Sequence, residues 1–197
     1  VDAQTGHVVY SNSKEVDFAT SLLTGPYKDT NLARAFKEAR DATNKEFVKL
    51  VDFEFYHPSY ASPASFLASP IFDGDKEIGV LVFQMPINEI NKVMTGNYNW
   101  KNEGMGESGE TYIVGSDYKM RNDSGFIIEE PDGYIELLEQ IGTDKEVINQ
   151  VKSHSTSIMF PEIHTEAVEE ALNGNEGTKI IDDYRGIPVL SSYTPLS

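Results

Sequence analysis

The sequence predicts an α+β fold built as two small modules in tandem, and three observations predict it. Two kinds of apolar pattern alternate along the chain. In one, every second residue is apolar, which is the spacing of a strand; in the other, apolar residues are three and four apart, which is the spacing of a helix. Turn residues join the strand candidates into antiparallel hairpins, and such hairpins with helices beside them define the α+β class. The pattern restarts after a Gly- and Asn-rich segment at residues 95–109. We therefore expect modules at residues 1–97 and 98–197, each an antiparallel sheet flanked by helices.

The elements of the first module are predicted from local patterns. Its main helix has apolar residues on one face, and Asn31 is the predicted N-cap. A hairpin is predicted at Asp73-Gly74, because Asp-Gly between two apolar strands favours a tight turn. Pro86 ends the second strand and begins a short helix. In chain order we predict a strand at residues 6–11, a helix at 31–47, a strand at 47–53, strands at 65–72 and 77–85, and a helix at 87–94.

The second module shows the same order of elements. Asp117-Tyr118 is the predicted turn of its first hairpin, Gly142 breaks a long helical pattern, and Asn173-Gly174 closes the last helix. In chain order we predict strands at residues 110–115 and 119–121, a broken helix at 134–153, a helix at 161–172, and strands at 178–183 and 187–193.

Composition excludes several classes of protein. The chain of 197 residues has 16 basic and 32 acidic side chains, a net charge of −16, so it lacks the basic footprint that a nucleic-acid partner requires. Anionic membrane surfaces are disfavoured for the same reason. There is no cysteine, which excludes disulfides and thiolate metal sites. The longest apolar run, residues 78–83, is strand-sized and does not predict a membrane span. Because the first residue is not Met, we expect a fragment of a longer chain.

No motif predicts catalysis, a cofactor or a metal site. Residues 104–109 spell Gly-x-Gly-x-x-Gly, but they follow a polar linker and open a strand, whereas a dinucleotide site follows a strand and opens a helix. Glu107 inside this segment would also repel phosphate. The segment is therefore interpreted as the entry to a strand. The four histidines (His7, His57, His154 and His164) lack the spacing of metal ligands.

One segment combines aromatic rings with rigidity. Residues 52–66 contain several aromatic side chains, Pro58 and Pro63, and small hydroxyl residues. Aromatic walls with a few fixed polar groups are typical of small-molecule pockets. Composition equally predicts core aromatics beneath a rigid loop, so both interpretations stay open.

Two stretches of the second half resemble a known family of sensors. Residues 104–124 (GMGESGETYIVGSDYKMRNDS) resemble the opening of the membrane-proximal module of double-Cache receptors, in which Gly-Glu-Thr-Tyr precedes a strand, a turn and Met-Arg-(Ser or Asn)-Asp-Ser. The end of the chain, residues 171–196, is similar to the closing hairpin of the same module.

The first half is similar to the membrane-distal module of a subgroup found in chemoreceptors, sensor histidine kinases and cyclases. The matching positions are Thr5-Gly6, Val9-Tyr10-Ser11, Lys14-Glu15, Asp17-Phe18, Gly25-Pro26-Tyr27, Asn31-Leu32-Ala33, Asp52-Phe53, Tyr56, Pro58-Ser59, Pro63-Ala64, Phe66, Pro70-Ile71, residues 79–82 and Gln84. The chain departs from the family in three ways. The long N-terminal helix and first core strand expected before Val1 are missing, Gly125 stands where Arg is frequent, and the Arg-x-Trp arrangement of amino-acid-binding members is not apparent after Tyr56.

The resemblance implies two PAS-like modules facing the periplasm, in a parent anchored in the bacterial inner membrane. It implies that the distal module binds a small solute, that the full receptor is a homodimer, and that the hairpin ending at Leu196 transmits the signal. The site residues that we expect are Tyr56, Ser59, Tyr60 and Phe66 as pocket wall, with Gln84 as a polar contact from the sheet. A second site would consist of Tyr112, Asp117, Arg121, Asp123, Tyr184 and Tyr193, unless these residues only stabilise the hairpins.

Two other classes of function remain open at this point. A structural or interaction domain would bind a protein partner through an exposed apolar patch and no small molecule. An extracellular hydrolase would need a nucleophile and base or a pair of carboxylates, and the sequence indicates neither. The chain is therefore not expected to be an enzyme.

Overall fold

A computed structural model describes residues 1–106 and 109–196, and over these residues the fold is α+β, with helices and antiparallel sheets. Glu107 and Ser108 of the Gly-x-Gly-x-x-Gly segment lie outside the described residues. The helices are α1 (Asn31–Arg40), α2 (Ile87–Met94), α3 (Gly125–Glu129), α4 (Pro131–Gln140), α5 (Lys145–His154) and α6 (Glu166–Leu172). The strands are β1 (Lys49–Tyr56), β2 (Ser62–Asp73), β3 (Lys76–Gln84), β4 (Gly177–Asp182) and β5 (Pro188–Tyr193).

The chain divides into two compact units, of which the first is Val1–Pro86 and the second begins at Ile87. The sequence-based boundary, after residue 97, lies further along the chain. The helix α2 belongs to the second unit, where Asn91 exchanges hydrogen bonds with Asp123.

The first unit is a three-stranded antiparallel sheet in the order β1-β2-β3. The predicted hairpin at Asp73-Gly74 is confirmed, since Asp73 pairs with Lys76 across the turn. The start of the chain lies along the outer edge of β3, where the Val80 N–H donates to the Val1 carbonyl at 2.8 Å. Gly79 is required for this approach, because a Cβ there would lie 2.8 Å from the Val1 oxygen.

The helix α1 packs on one face of this sheet and completes the core of the first unit. Its buried apolar side chains meet those of the strands in one cluster, which includes Leu32, Phe36, Val51, Phe66 and Val80. The sheet positions alternate as the period of a strand requires, so the neighbouring residues of each strand face away from α1.

Two details of the predicted helix at residues 31–47 are wrong. Thr30 is the N-cap, since its hydroxyl accepts from the Ala33 N–H. Asn31 lies inside the helix and is buried, and its amide donates to the carbonyls of Asp52 and Ala64. The helix ends at Arg40, and the polar residues that follow are exposed or half-buried.

The second unit is mainly helical over its described residues. Buried residues of α3, α4 and α5 form one apolar cluster, with Tyr134 and Leu138 fully buried in it. A smaller cluster joins Met120, Ile163 and Val168. The strands β4 and β5 form an antiparallel hairpin in which Ile180 pairs with Leu190. The predicted break near Gly142 is confirmed, because Gly142 adopts a positive φ of +79° between α4 and α5.

Three predicted strands do not form in the described residues. Residues 6–11 make only an isolated bridge, from His7 to Ser21. The partner segment cannot continue as a strand, because Ala19 in it leaves the extended conformation with a φ of +63°. Residues 110–115 and 119–121 are joined by the isolated bridge between Val114 and Met120. Here the Asn122 side chain takes the place of a strand partner.

The amide of Asn122 supplies both halves of a backbone pairing. Its Oδ1 accepts from the Ile113 N–H at 2.7 Å, and its Nδ2 donates to the Thr111 carbonyl at 3.2 Å. A side chain that satisfies backbone groups in this way competes with a regular ladder.

Other element limits differ from the prediction. The strand β1 begins and ends later than the predicted 47–53, and β2 extends beyond the predicted 65–72 at both ends. The helix α6 begins at Glu166 and not at Pro161, because Thr165 is the N-cap and Glu162 bridges to Lys119 in an extended segment. The short helix α3 was not predicted, although Ser124 caps it. No helix in the described part of the chain is both long enough and apolar enough to cross a membrane.

Candidate functional site

A tyrosine and an aspartate form a buried pair in the first unit. Tyr56, the last residue of β1, is 1% exposed, and its hydroxyl donates to Asp17 Oδ2 at 2.6 Å. Burial raises the pKa of Tyr56 above its ordinary value, and the hydrogen bond to Asp17 raises it further. The hydroxyl therefore acts as a neutral donor at physiological pH.

A compact turn holds Asp17 over Tyr56. The Phe18 N–H donates to the Glu15 carbonyl, and both the N–H and the hydroxyl of Thr20 donate to the Asp17 carbonyl. The Ala19 N–H donates to the Val8 carbonyl, which ties the turn to the beginning of the chain.

One oxygen of Asp17 has no partner among the described residues. Asp17 is 7% exposed, and its Oδ1 is buried without a hydrogen bond to any residue that the structure describes. Neither Asp17 nor Glu15 forms an ion pair within residues 1–106 and 109–196. A buried carboxylate without a cation or a full set of donors is costly, so this oxygen is a position for an ordered water molecule or for a donor from a bound solute.

A second carboxylate lies at the loop between β1 and β2. The Ser59 hydroxyl donates to Glu15 Oε2 at 2.9 Å, and Glu15 is half-buried. The loop is a short 3₁₀ turn, His57–Ser59, that Tyr60 closes in the left-handed conformation. This geometry turns Ser59 inward and leaves Tyr60 92% exposed.

The structure brings together three of the five residues predicted for the first site. Phe66 packs edge-on against Tyr56, with ring centroids 5.1 Å apart, and both belong to the core of the unit. Ser59 joins them through Glu15. Tyr60 and Gln84 have exposed side chains, although Gln84 is paired with Phe66 in the sheet.

Sequence reasoning missed Glu15 and Asp17 as site residues. Both residues lie in a segment that resembles the sensor subgroup, but the sequence alone indicates no role for them. The signal that was available is a pair of acidic residues two apart beside the apolar Val16 and Phe18.

The residues predicted for the second site all lie in the second unit, where they form several separate local contacts. Tyr112 and Tyr184 meet edge-on, with centroids 5.9 Å apart, and Tyr184 Oη lies 2.7 Å from Ser124 Oγ. Burial raises the pKa of both tyrosines. Asp117 forms a 2.9 Å ion pair with Arg121, whose Nη1 donates to the Lys119 carbonyl. This pair closes the turn.

The carboxylate of Asp123 is satisfied by hydrogen bonds from other residues of the protein. Its carboxylate accepts from the Asn91 amide at 2.7 Å, from the Thr156 hydroxyl at 2.5 Å and from the Ser157 N–H at 2.8 Å. A carboxylate with this set of donors holds α2 and the segment before Phe160 in place. Tyr193 lies on β5 opposite Gly177, and its hydroxyl would be 2.8 Å from a Cβ on that glycine.

Glu110 lies next to the pair of Ser124 and Tyr184. Glu110 Oε2 accepts from the Gly125 N–H at 2.7 Å and from the Ser124 hydroxyl at 3.2 Å. Glu110 Oε1 and the Tyr134 hydroxyl are buried without a hydrogen-bond partner among the described residues. Buried polar groups of this kind are typical positions for ordered water.

An open groove of about 360 Å³ runs past Tyr184. Arg185 and Asp183 form a pair in it, with Arg185 Nε donating to Asp183 Oδ2 at 2.6 Å. The groove is lined by Ile141, Thr143, Pro161, Glu162, Ile163, His164, Asp183, Tyr184, Arg185 and Gly186. Over the part of the chain that the structure describes, no three His, Cys, Asp or Glu side chains are grouped so as to hold a metal ion.

No protein-family model matches the sequence, and a search of the curated proteins returned no relative. Among solved structures, the ligand-binding domain of the Pseudomonas fluorescens chemoreceptor CtaA in complex with L-serine is similar over 51% of this chain, with 13% identity and a TM-score of 0.31. The chain covers 36% of the length of that domain.

Proposed function

We propose that this chain is the extracytoplasmic ligand-binding region of a bacterial transmembrane receptor, and that its first unit binds a small solute. The observation that carries the proposal is the convergence of Asp17, Glu15, Tyr56 and Ser59. Two chain segments meet there through the hydrogen bonds from Tyr56 to Asp17 and from Ser59 to Glu15. One carboxylate oxygen is left without a donor from the described residues. A few fixed polar groups against aromatic rings are what a recognition site for a small molecule needs.

The proposal includes a PAS-like architecture for the first unit. Its support is the sheet, which has α1 on one face and continues beyond β3 into the beginning of the chain through the bridge between Asp2 and Gly79. The proposal extends the PAS-like architecture to the second unit. Its support there is the hairpin of β4 and β5, which follows a group of helices.

Signalling follows if a solute binds two conformations of the domain with unequal affinity. The proposed moving element is the β4–β5 hairpin, which stands near the end of the chain. As part of the same proposal, the parent is anchored in the inner membrane, acts as a homodimer, and passes the signal to a kinase, a chemotaxis signaller or a cyclase. No catalytic role is proposed for this region.

An interaction domain is the second candidate, and the outer face of the first sheet favours it. Leu50, Leu67 and Phe83 form one row across the three strands, on the face opposite α1. Leu50 is 55% exposed and Phe83 is 58% exposed. Contiguous exposed apolar surface of this kind is typical of protein interfaces.

A thermal-shift screen tests the proposed function. The chain is heated with small carboxylates, amino acids, amines, sugars and purines, each at high concentration. A solute present at about 100 times its Kd adds roughly 2.7 kcal/mol to the free energy of unfolding, which raises the Tm of a chain of this size by several degrees. We expect at least one class to raise the Tm and the rise to be smaller in Ser59→Ala. If no class raises the Tm, the proposal is wrong and the interaction domain takes its place.

A further inference from the structure

The charges around Tyr56 indicate the kind of solute. Glu15 and Asp17 both lie close enough to Tyr56 for their negative charges to raise its pKa, after the larger effect of burial. No basic side chain among the described residues forms an ion pair with either carboxylate. An anionic solute would be repelled from this position, whereas a cationic one would replace the missing counter-charge.

The donors that the site lacks are N–H or O–H groups. Asp17 Oδ2 is already bonded to Tyr56, and Glu15 Oε2 to Ser59. Asp17 Oδ1 accepts no hydrogen bond from the described residues, and an ammonium group supplies both the charge and the donor for it. A divalent metal ion fits less well, because Ca²⁺ and Mg²⁺ need about six oxygen ligands or more, whereas an ammonium group needs one to three acceptors.

The aromatic side chains hold Asp17 in position. Tyr56 and Phe66 are buried in the core and pack edge-on against each other, and the Tyr56 hydroxyl donates to Asp17. Glu15 is half-buried and lies toward the solvent, whereas Asp17 is buried. Glu15 is therefore the more accessible carboxylate of the proposed site, and Asp17 is the more deeply buried one.

We propose that the first unit recognises a small organic ammonium compound, with Asp17 as the principal acceptor and Glu15 as the second carboxylate. This inference rests on the proposed function and names the ligand class for the same site.

Matched pairs of solutes test the inference by thermal shift and calorimetry on the whole chain. Ethanolamine is compared with ethylene glycol, putrescine with butanediol, and choline with dimethylbutanol, so that each cation has a neutral counterpart of similar shape. We expect at least one cation to raise the Tm and to bind in the calorimeter, and its neutral counterpart to do neither at the same concentration.

Two variants locate the binding. Asp17→Asn keeps an oxygen for the Tyr56 hydroxyl but removes the charge, and we expect it to weaken binding of the cation at least about tenfold. Glu15→Gln is expected to weaken it less. Asp29→Asn and Glu46→Gln are the controls, because both residues are exposed and the changes remove the same charges.

The outcomes separate the inference from the proposed function. A neutral or anionic solute that binds while all three cations fail would overturn the ammonium site and leave a sensor. A cation whose affinity is unchanged in Asp17→Asn would also overturn the site. If no solute of any class binds, the proposed function fails together with the inference.

Discussion

Tyr56 and Asp17, which are 39 positions apart in the chain, are joined by a 2.6 Å hydrogen bond inside the first unit. The bond fastens the turn at residues 15–20 to the end of β1, beside the loop that carries Ser59. It also leaves the second oxygen of Asp17 facing a position that no described residue fills with a donor. In the proposed site, stability and ligand recognition would therefore depend on the same pair.

Removing the Tyr56 hydroxyl is expected to destabilise the first unit. In Tyr56→Phe the ring still packs against Phe66, but Asp17 loses its donor while it remains buried. A buried acceptor left unsatisfied costs about 1–3 kcal/mol. Urea unfolding followed by far-ultraviolet circular dichroism measures the loss. Tyr60→Phe is the matched control and is expected to change stability little, because Tyr60 is 92% exposed. Equal effects of the two variants would contradict the role of the bond.

The raised pKa of Tyr56 predicts a loss of stability at alkaline pH. Tyrosine in the unfolded chain titrates near pH 10, whereas Tyr56 in the folded chain titrates higher, chiefly because of burial. Above about pH 10 the unfolded state has therefore released a proton that the folded state keeps, so the free energy of unfolding falls as pH rises. The contribution is fully present below the unfolded pKa.

The Tm measured between about pH 9 and pH 11 checks this prediction. Tyr56→Phe is expected to show a shallower fall than the unchanged chain, and Tyr60→Phe the same fall as the unchanged chain. A slope that does not differ between Tyr56→Phe and the unchanged chain would show that Tyr56 titrates normally.

Asn31 is expected to contribute to stability by joining α1 to the sheet. Its buried amide donates to the Ala64 carbonyl at 2.7 Å and to the Asp52 carbonyl at 3.2 Å. Asn31→Ala leaves both carbonyls without this donor and is expected to cost about 2 kcal/mol. Urea unfolding measures the change. Asn12→Ala, at an exposed position, is the control and is expected to stay within about 0.5 kcal/mol of the unchanged chain.

Asp123 is expected to stabilise the second unit, as Asn31 is expected to stabilise the first. Asp123→Ala removes the acceptor for Asn91, Thr156 and Ser157, all of which are buried. We expect a loss of about 3 kcal/mol, because several donors are left unsatisfied at once. Trp100, the one tryptophan of the sequence, is buried in the second unit, so its fluorescence reports the unfolding of that unit.

Asp182→Asn is the control for Asp123→Ala, since Asp182 is exposed on β4. It is expected to leave the Trp100 transition within about 0.5 kcal/mol of its original position. A Trp100 transition that Asp123→Ala does not move would mean that the carboxylate supports no part of the folded unit.

Elements with a strong local signal were predicted from the sequence. The Asp73-Gly74 turn and the break at Gly142 are both present, because each depends on a glycine that adopts a positive φ. The helical face of α1 is also present. By contrast, the strand at residues 110–115 does not form in the described residues, since the Asn122 side chain satisfies backbone groups that a ladder would use.

The candidate site was predicted in part. Tyr56, Ser59 and Phe66 were selected from an aromatic, proline-containing segment, and the structure brings them together. The same segment gave no means of separating Ser59, which is turned inward, from Tyr60, which is exposed. That difference arises from the left-handed conformation of Tyr60 at the end of the short turn.

The sequence by itself determined the α+β class, the acidic charge and the lack of any thiol chemistry, because composition and local periodicity are properties of neighbouring residues. The tertiary structure alone decided that Asp17 meets Tyr56 and that Glu15 meets Ser59, 44 positions away. Local patterns carry no information about which distant side chains share a buried space. Only the packing of the chain decides whether an acidic side chain is solvated or is left buried with an oxygen free.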